Sequence, residues 1–158
     1  MEFMGFQREN GEIGVRNYVA VIPTVGCANE VAEAIAETVP GSKPLLHHQG
    51  CCMIPSDIEV VERTLIGLGS NPNVAAVVLV GLGCESVSID RVGDGIAETG
   101  KPVESVVIQD IGGFSKAVEK GVEAAKKGVE HAKRFKRQSF DLSNLTVGIK
   151  CGSSDATS

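Results

Sequence analysis

Residues 74–85 read Val74-Ala75-Ala76-Val77-Val78-Leu79-Val80-Gly81-Leu82-Gly83-Cys84-Glu85. The first seven form a nearly continuous apolar, β-branched run, with none of the polar alternation that a strand with one wet face shows. Such a run belongs to a strand covered on both faces, as at the centre of a parallel sheet. The chain then changes character at once, to glycine, thiol and carboxylate. In open parallel sheets ligands bind beyond the carboxyl ends of the strands, so this stretch predicts both the fold and the edge that carries the chemistry.

Working outward, apolar runs alternate with helical periodicity. Toward the N-terminus, Tyr18 to Ile22 predicts a strand, and Val31, Ile35 and Val39 lie at helical spacing. That helix should stop at Pro40-Gly41, where proline ends the hydrogen-bond ladder and glycine accepts the left-handed cap. A short strand is expected at Pro44 to His47. A helix follows from Ser56, with Ser56 and Glu59 at capping-box spacing and Ile58, Val61, Leu65 and Leu68 as its buried stripe. Toward the C-terminus, Ile89, Val92 and Ile96 suggest a helix weakened by Gly93 and Gly95. Val103 to Ile108 is a fourth strand. Phe114, Val118, Val122, Ala125, Val129 and Ala132 mark one face of a long helix. Leu145 to Ile149 reads as a fifth strand. Ahead of all this, Phe3–Gln7 and Ile13–Arg16 flank Glu9-Asn10-Gly11, and Asn-Gly supplies the positive φ of a tight hairpin.

The expected architecture is α/β: a Rossmann-like, three-layer open sheet, mostly parallel, of about five strands with helices on both faces, preceded by a short β-hairpin. The hairpin arm takes residues 1–17 and the α/β domain residues 18–158. With 158 residues one domain is expected, and 42% hydrophobic, 22% charged and 4% aromatic residues give it an aliphatic core. A net charge of −5 speaks against a nucleic-acid partner, which needs clustered cations. No window approaches the roughly 20 apolar residues of a membrane span, and no basic-then-apolar leader opens the chain. A cytoplasmic location is expected, with the five cysteines as reduced thiols.

The chemistry-bearing residues fall after the strands. Pro23-Thr24-Val25-Gly26-Cys27 follows the first, His47-His48-Gln49-Gly50-Cys51-Cys52 the second, Gly81 to Glu85 the third, Gln109-Asp110 the fourth, and Lys150-Cys151-Gly152-Ser153-Ser154-Asp155 the fifth. Every cysteine and two of three histidines thus share one edge. Thiolate, imidazole and carboxylate select iron or zinc over magnesium. No Cys-x-x-Cys is present, and adjacent Cys51 and Cys52 point apart in most backbones, so no complete local cage is written here. The bland readings stand beside these. Free cysteine is often a small buried hydrophobe, Cys52 most readily; Cys27 can sit at a helix N-terminus; His131 is expected in solvent; and Lys133 to Arg137 suits a helix C-terminus. Gly81-Leu82-Gly83 lacks the third glycine of a dinucleotide loop, Ser86 standing in its place.

Four strings together, Gly14-Val15-Arg16-Asn17-Tyr18, His47 to Met53, Gly81 to Glu85 and Lys150 to Asp155, resemble the altronate/galactarate dehydratase family, which also takes in the large subunit of a sulfolactate sulfo-lyase. The chain departs from the family at Cys52 and Ser153, where glycine is more usual, and near Thr157, where a bulky residue is. The resemblance implies dehydration of a sugar acid to a 2-keto-3-deoxy acid, assisted by a divalent metal, iron(II) foremost. It offers Cys27, Cys51, Cys84 and Cys151 as metal ligands, and His47, His48, Glu85, Asp155 and Lys150 as ligand, acid/base or catalytic groups. Arg16, Asn17 and Gln109 would hold the substrate. The chain stops inside the Lys150-Cys151-Gly152 motif, where the family continues into a second large domain. The implied partners are therefore a sugar acid, that C-terminal domain, a small N-terminal-type subunit, or a second copy in a homodimer. Sulfite elimination from sulfolactate, a non-catalytic metal or thiol module, and a nucleotide-binding domain are the alternatives.

Overall fold

The computed structural model describes residues 1–150 and Gly152. Four parallel strands form the main sheet: β3 (Tyr18–Pro23), β4 (Ser42–Pro44), β5 (Val74–Gly81) and β6 (Val103–Val107), in the order β4-β3-β5-β6. All eight residues of β5 are buried, as the unbroken apolar run predicts, and β5 lies between β3 and β6. Alternation along the strands feeds two separate cores. Val19, Val21, Ala76 and Val78 pack against helices α1 (Asn29–Thr38) and α5 (Phe114–Ala132). Ala20, Ile22, Val77 and Leu79 pack on the other face, against α2 (Pro55–Ser70) and α3 (Ile89–Ala97). The three-layer, Rossmann-like α/β reading is thus what the chain adopts. No helix among the described residues is long and apolar enough to cross a membrane.

The order fixes where a ligand end can lie. From β3 the chain winds outward to β4, then returns to the other side of β3 for β5 and continues to β6. Winding reverses between β3 and β5. At such a switch point the two flanking loops diverge to opposite faces and leave a crevice at the carboxyl ends.

Helix details depart from the periodicity in instructive ways. The second helix starts with Pro55 at its first position and Ile54 as its cap, and no side chain caps it; the Ser56–Glu59 capping box is not formed, because proline, needing no N–H partner, takes the entry. Leu65 is buried as expected, but Leu68 is exposed and Glu62 is buried in its stead. The last long helix buries Ala117, Gly121, Ala124, Ala125, Gly128 and Ala132, while Phe114 is exposed and Val118, Val122 and Val129 are only half-buried. Small residues face inward because the helix lies close to both the sheet and α1: a Cβ on Gly128 would sit 3.1 Å from Val19 Cγ1 in β3, and one on Gly121 2.1 Å from Ile35 Cδ1 in α1. Gly95 likewise lets α3 approach α2, its absent Cβ falling 2.7 Å from Ile66 Cδ1. A short α4 (Ile108–Ile111) precedes α5.

The hairpin forms, β1 (Glu2–Gln7) pairing antiparallel with β2 (Ile13–Gly14), with Gly11 at φ +87° in the turn. It is not a free arm. After α5 the chain returns as β7 (Gln138–Asp141) and pairs antiparallel with β1, giving a second, three-stranded sheet. This corrects the fifth strand of the main sheet. Residues 145–149 form no strand, because β7 has already drawn the chain into the small sheet, away from β6. The second parallel strand is also shifted, ending at Pro44 rather than His47, which leaves both histidines in the following loop.

Arg8 fastens the small sheet to the domain. It is buried, and it donates to Pro72 O at 2.7 Å, Asn17 Oδ1 at 2.7 Å and Arg16 O at 2.9 Å. Burial lowers its pKa to about 10, so it stays cationic at neutral pH. Asn73 Oδ1 accepts from the N–H groups of Val15 and Arg16, and Asn17 donates to Ala132 O at 2.7 Å. The Gly14–Tyr18 string therefore joins arm, α5 and the β5 entry at the amino edge of the sheet.

Candidate functional site

Three loops meet at the carboxyl end of the switch point. The first follows β3, and its Gly26–Ala28 segment makes a 3-10 turn before α1. The second joins β4 to α2, and the third follows β5. They are stitched together by backbone and side-chain hydrogen bonds. Gly26 N–H donates to Gln49 O at 2.9 Å and Ser86 N–H to Gly50 O at 2.9 Å, while Asn29 Nδ2 donates to His47 O at 2.8 Å. Gly50, at φ +109°, lies against the first loop so tightly that a Cβ would fall 2.3 Å from Thr24 O. Each tie joins segments far apart in sequence. Together they bring the thiols of Cys27, Cys51, Cys52 and Cys84 onto one rim, all free and exposed. The reading of Cys52 as a buried hydrophobe is thereby corrected.

Adjacent Cys51 and Cys52 do not diverge. Cys52 has a left-handed backbone, φ +53°, and the two sulfurs approach to 3.6 Å. The Cys51 pKa is raised, first by its hydrogen bond and charge interaction with Cys52, then by burial, then by the charges of Cys27 and Cys84. The hydrogen bond that favours the neutral thiol leads, and the crowding of sulfurs at one rim adds a charge penalty that a bound cation would relieve.

Glu85 is the hub of the third loop. Its carboxylate accepts from Thr24 Oγ1 at 2.8 Å, Leu82 N–H at 3.1 Å and Gly83 N–H at 2.6 Å. Burial acts to raise its pKa, but the hydrogen bonds from Gly83, its own amide, Thr24 and Leu82 prevail and hold it below the ordinary glutamate value. Glu85 is thus an ionised carboxylate whose lone pairs serve the loop. A folded-state pKa below the unfolded one contributes stability that is complete above the ordinary carboxylate value and is lost as pH falls through the lower folded value. Glu85→Gln, which turns an amide toward donors, is expected to cost about 1–2 kcal/mol at neutral pH and to flatten the acid limb of the stability profile. Urea melts across the acid range check both.

The two histidines are separated by their bonding. His47 Nε2 lies 2.7 Å from Pro23 O, and its Nδ1 accepts from Gln49 N–H at 3.2 Å. A carbonyl can only accept, so Nε2 carries the proton, Nδ1 does not, and both nitrogens are engaged. His48 is exposed, beside the Cys27 turn: its Cα lies 3.3 Å from where a Gly26 Cβ would be. Gln109, at the start of α4, reaches Cys84 Sγ at 3.7 Å through Nε2. Lys150 is exposed. Cys151 and Asp155 lie outside the described residues. Arg16 and Asn17 precede β3 and sit at the opposite, amino edge of the sheet, so the structure does not bring them to the thiol rim. Sequence reading passed over Thr24; its only signal was a hydroxyl directly after a strand.

A groove of about 670 Å³ runs beside the second loop, lined by Leu45, Leu46, His47, Met53, Val60 and Leu68 among others. Its lining is mainly apolar, unlike the polar surface a polyhydroxy acid needs. Among the described residues, no three Cys, His, Asp or Glu side chains converge closely enough to hold an ion as they stand. The donor types still suit a soft or borderline divalent metal. Cys27, Cys51 and Cys84 are the described residues that would supply thiolates to one.

An open α/β domain with exposed thiols on the loops at the β3/β5 switch point is the class that the fold defines. Residues 5–133 match the family described as D-galactarate dehydratase/altronate hydrolase, second domain, and the chain belongs to that family. It is 40% identical over 156 residues to the (2R)-sulfolactate sulfo-lyase subunit beta of Chromohalobacter salexigens, covering 99% of this chain and 39% of that one. It is 35% identical over 167 residues to the altronate dehydratase of Bacillus subtilis, covering 99% of this chain and 33% of the enzyme. With the altronate dehydratase of Escherichia coli it shares 29% over 164 residues, 97% of this chain and 32% of the enzyme. The chain spans well under half the length of these relatives.

Proposed function

We propose that this domain supplies the thiol-bearing wall of a lyase site that removes water from a sugar acid of the altronate or galactarate type, giving a 2-keto-3-deoxy acid. The observation that carries the reading is that Cys27, Cys51, Cys52 and Cys84 all lie exposed on the loops at the switch-point edge of the sheet in a chain of this family. A second reading, sulfite elimination from sulfolactate, is favoured by the 40% identity to the sulfo-lyase subunit. The two share one chemistry: a proton leaves the carbon beside a carboxylate, and a group on the next carbon departs. A divalent metal, iron(II) foremost, would supply Lewis-acid stabilisation of the charge that develops on the carboxylate.

The chain's own residues divide the remaining work. His48 is the base candidate, since its imidazole is exposed beside the Cys27 turn. His47 and Glu85 hold the loops that position it. Gln109 lies beside Cys84 and offers an amide to a substrate hydroxyl. Lys150, with Cys151 and Asp155, would reach the site from the C-terminal motif, and Arg16 and Asn17 would serve it only from another polypeptide or domain. The remainder of the site would come from polypeptide beyond this domain or from a second subunit, and the cytoplasm would be its compartment.

The test measures keto acid and sulfite released from altronate, galactarate and sulfolactate by the complete natural protein, reconstituted anaerobically with ferrous iron. Keto acid from a sugar acid without sulfite supports dehydration, and sulfite from sulfolactate supports the second reading. Failure of all three substrates with a folded, metal-loaded protein overturns both. In the active form, His48→Gln is expected to lower kcat at least about tenfold with the melting temperature unchanged, whereas His47→Gln should lower the melting temperature. Equal loss of melting temperature in both variants would remove His48 from the chemistry.

A further inference from the structure

We propose that Cys51 and Cys52 form a vicinal dithiol that a small disulfide of the glutathione type oxidises reversibly to a disulfide within one dipeptide. Neighbouring residues across a trans peptide have Cα atoms about 3.8 Å apart, below the roughly 4.4–6.8 Å that ordinary disulfides span. In an extended or helical backbone their side chains also diverge. Here the loop removes the second obstacle, while the first remains as strain in the ring that would form. The left-handed backbone of Cys52, φ +53°, turns its side chain back toward Cys51, and the sulfurs stand 3.6 Å apart. A non-glycine residue in that region costs about 1–2 kcal/mol, so the surrounding ties must hold it there. Those ties are on either side of the pair: Gly50 O accepts from Ser86 N–H, Gly26 N–H donates to Gln49 O, and Gly50 N–H contacts Met53 Sδ at 3.3 Å. Both sulfurs are exposed, so an attacking small molecule reaches them.

The step balances as two exchanges. One thiolate attacks a sulfur of the small disulfide, forming a mixed disulfide and releasing one small thiol. The neighbouring thiol, losing its proton, then attacks the protein-side sulfur, closing the Cys51–Cys52 bond and releasing the second small thiol. The protein loses two protons and two electrons, and the small disulfide gains them. The short Cα separation strains the ring, and strained, exposed disulfides have the more oxidising potentials of labile, regulatory bonds. A pool of small thiol therefore reopens it. If the rim acts as proposed above, oxidation also withdraws two thiols from it, but the modification itself stands without that reading.

The experiment incubates the fully reduced 158-residue chain with excess glutathione disulfide, blocks the remaining thiols by alkylation, and maps peptides by mass spectrometry. The expected result is a peptide containing residues 51 and 52 that has lost two hydrogens, carries no glutathione and resists alkylation, with Cys27 and Cys84 alkylated. Reduced glutathione should restore both alkylation sites. The Cys27→Ser/Cys84→Ser double variant should behave in the same way. Cys52→Gly, which suits the left-handed backbone, should instead retain one glutathione on Cys51. A bond from Cys51 or Cys52 to Cys27, Cys84 or Cys151 overturns the proposal, as does a stable glutathione adduct on the unmutated pair. Complete resistance to oxidation overturns it equally.

Discussion

Gly50→Ala is expected to destabilise the chain by about 2–4 kcal/mol. Two costs add. At φ +109° a Cβ is strained whatever the space, and here the Cβ would also fall 2.3 Å from Thr24 O and 2.7 Å from Val25 Cα. Both are backbone or near-backbone atoms of the buried first loop, and they cannot swing aside. The relief open to the chain is to separate the second loop from the first, which breaks Gly26 N–H to Gln49 O and moves the Cys51–Cys52 pair away from Cys27 and Cys84. Urea unfolding gives the energy, and the alkylation rates of the thiols report the separation. Gly11→Ala is the control, with a similar φ of +87° but nothing within 4 Å of the new Cβ. It should cost only about 1 kcal/mol. Equal losses in the two variants would mean that loop contact at Gly50 contributes nothing.

Arg8→Met should cost about 3–5 kcal/mol, because three part-buried acceptors would lose their charge-assisted donor at once. The guanidinium holds the carbonyls of Pro72 and Arg16 and the side chain of Asn17, and it lies 4.9 Å from the centroid of Phe135 and 5.9 Å from that of Phe6. Methionine fills the volume but satisfies none of the three acceptors. The damage should be local before it is global, since β1 and β7 touch the domain chiefly through this end. Amide exchange in Phe3 to Gly5 is therefore expected to quicken more than exchange in Val77 to Leu79. A loss below about 1 kcal/mol would show that the small sheet is held by other contacts.

Much of the fold is legible locally. An unbroken run such as Val74–Val80 has no wet face to offer, so it must lie inside a sheet, and strands that alternate with helices then become parallel by the geometry of the crossover. Leu145, Val147 and Ile149 show the limit of the same reasoning. Their alternation suits a strand, but a strand exists only where another edge accepts its hydrogen bonds, and β7 has already paired with β1. The α5 stripe misleads for a related reason: valine is more apolar than glycine, but the depth of contact with β3 and β5 admits only glycine and alanine at the closest points.

The sequence by itself determined which atoms the rim could use, because strand ends are written locally and thiols, imidazoles and carboxylates follow them in one direction along the chain. Tertiary structure alone decided how those atoms are employed. His47 and His48 are indistinguishable as letters, and Glu85 reads as an acid or a ligand. Pro23 O, Thr24 Oγ1 and the amides of Leu82 and Gly83 turn His47 and Glu85 into loop fasteners, while His48 stays open and the Cys51–Cys52 sulfurs meet. Leu82 and Gly83 are local to the Glu85 turn, but Pro23 and Thr24 belong to β3 and its loop, and only the packed sheet brings them within hydrogen-bonding distance of His47 and Glu85.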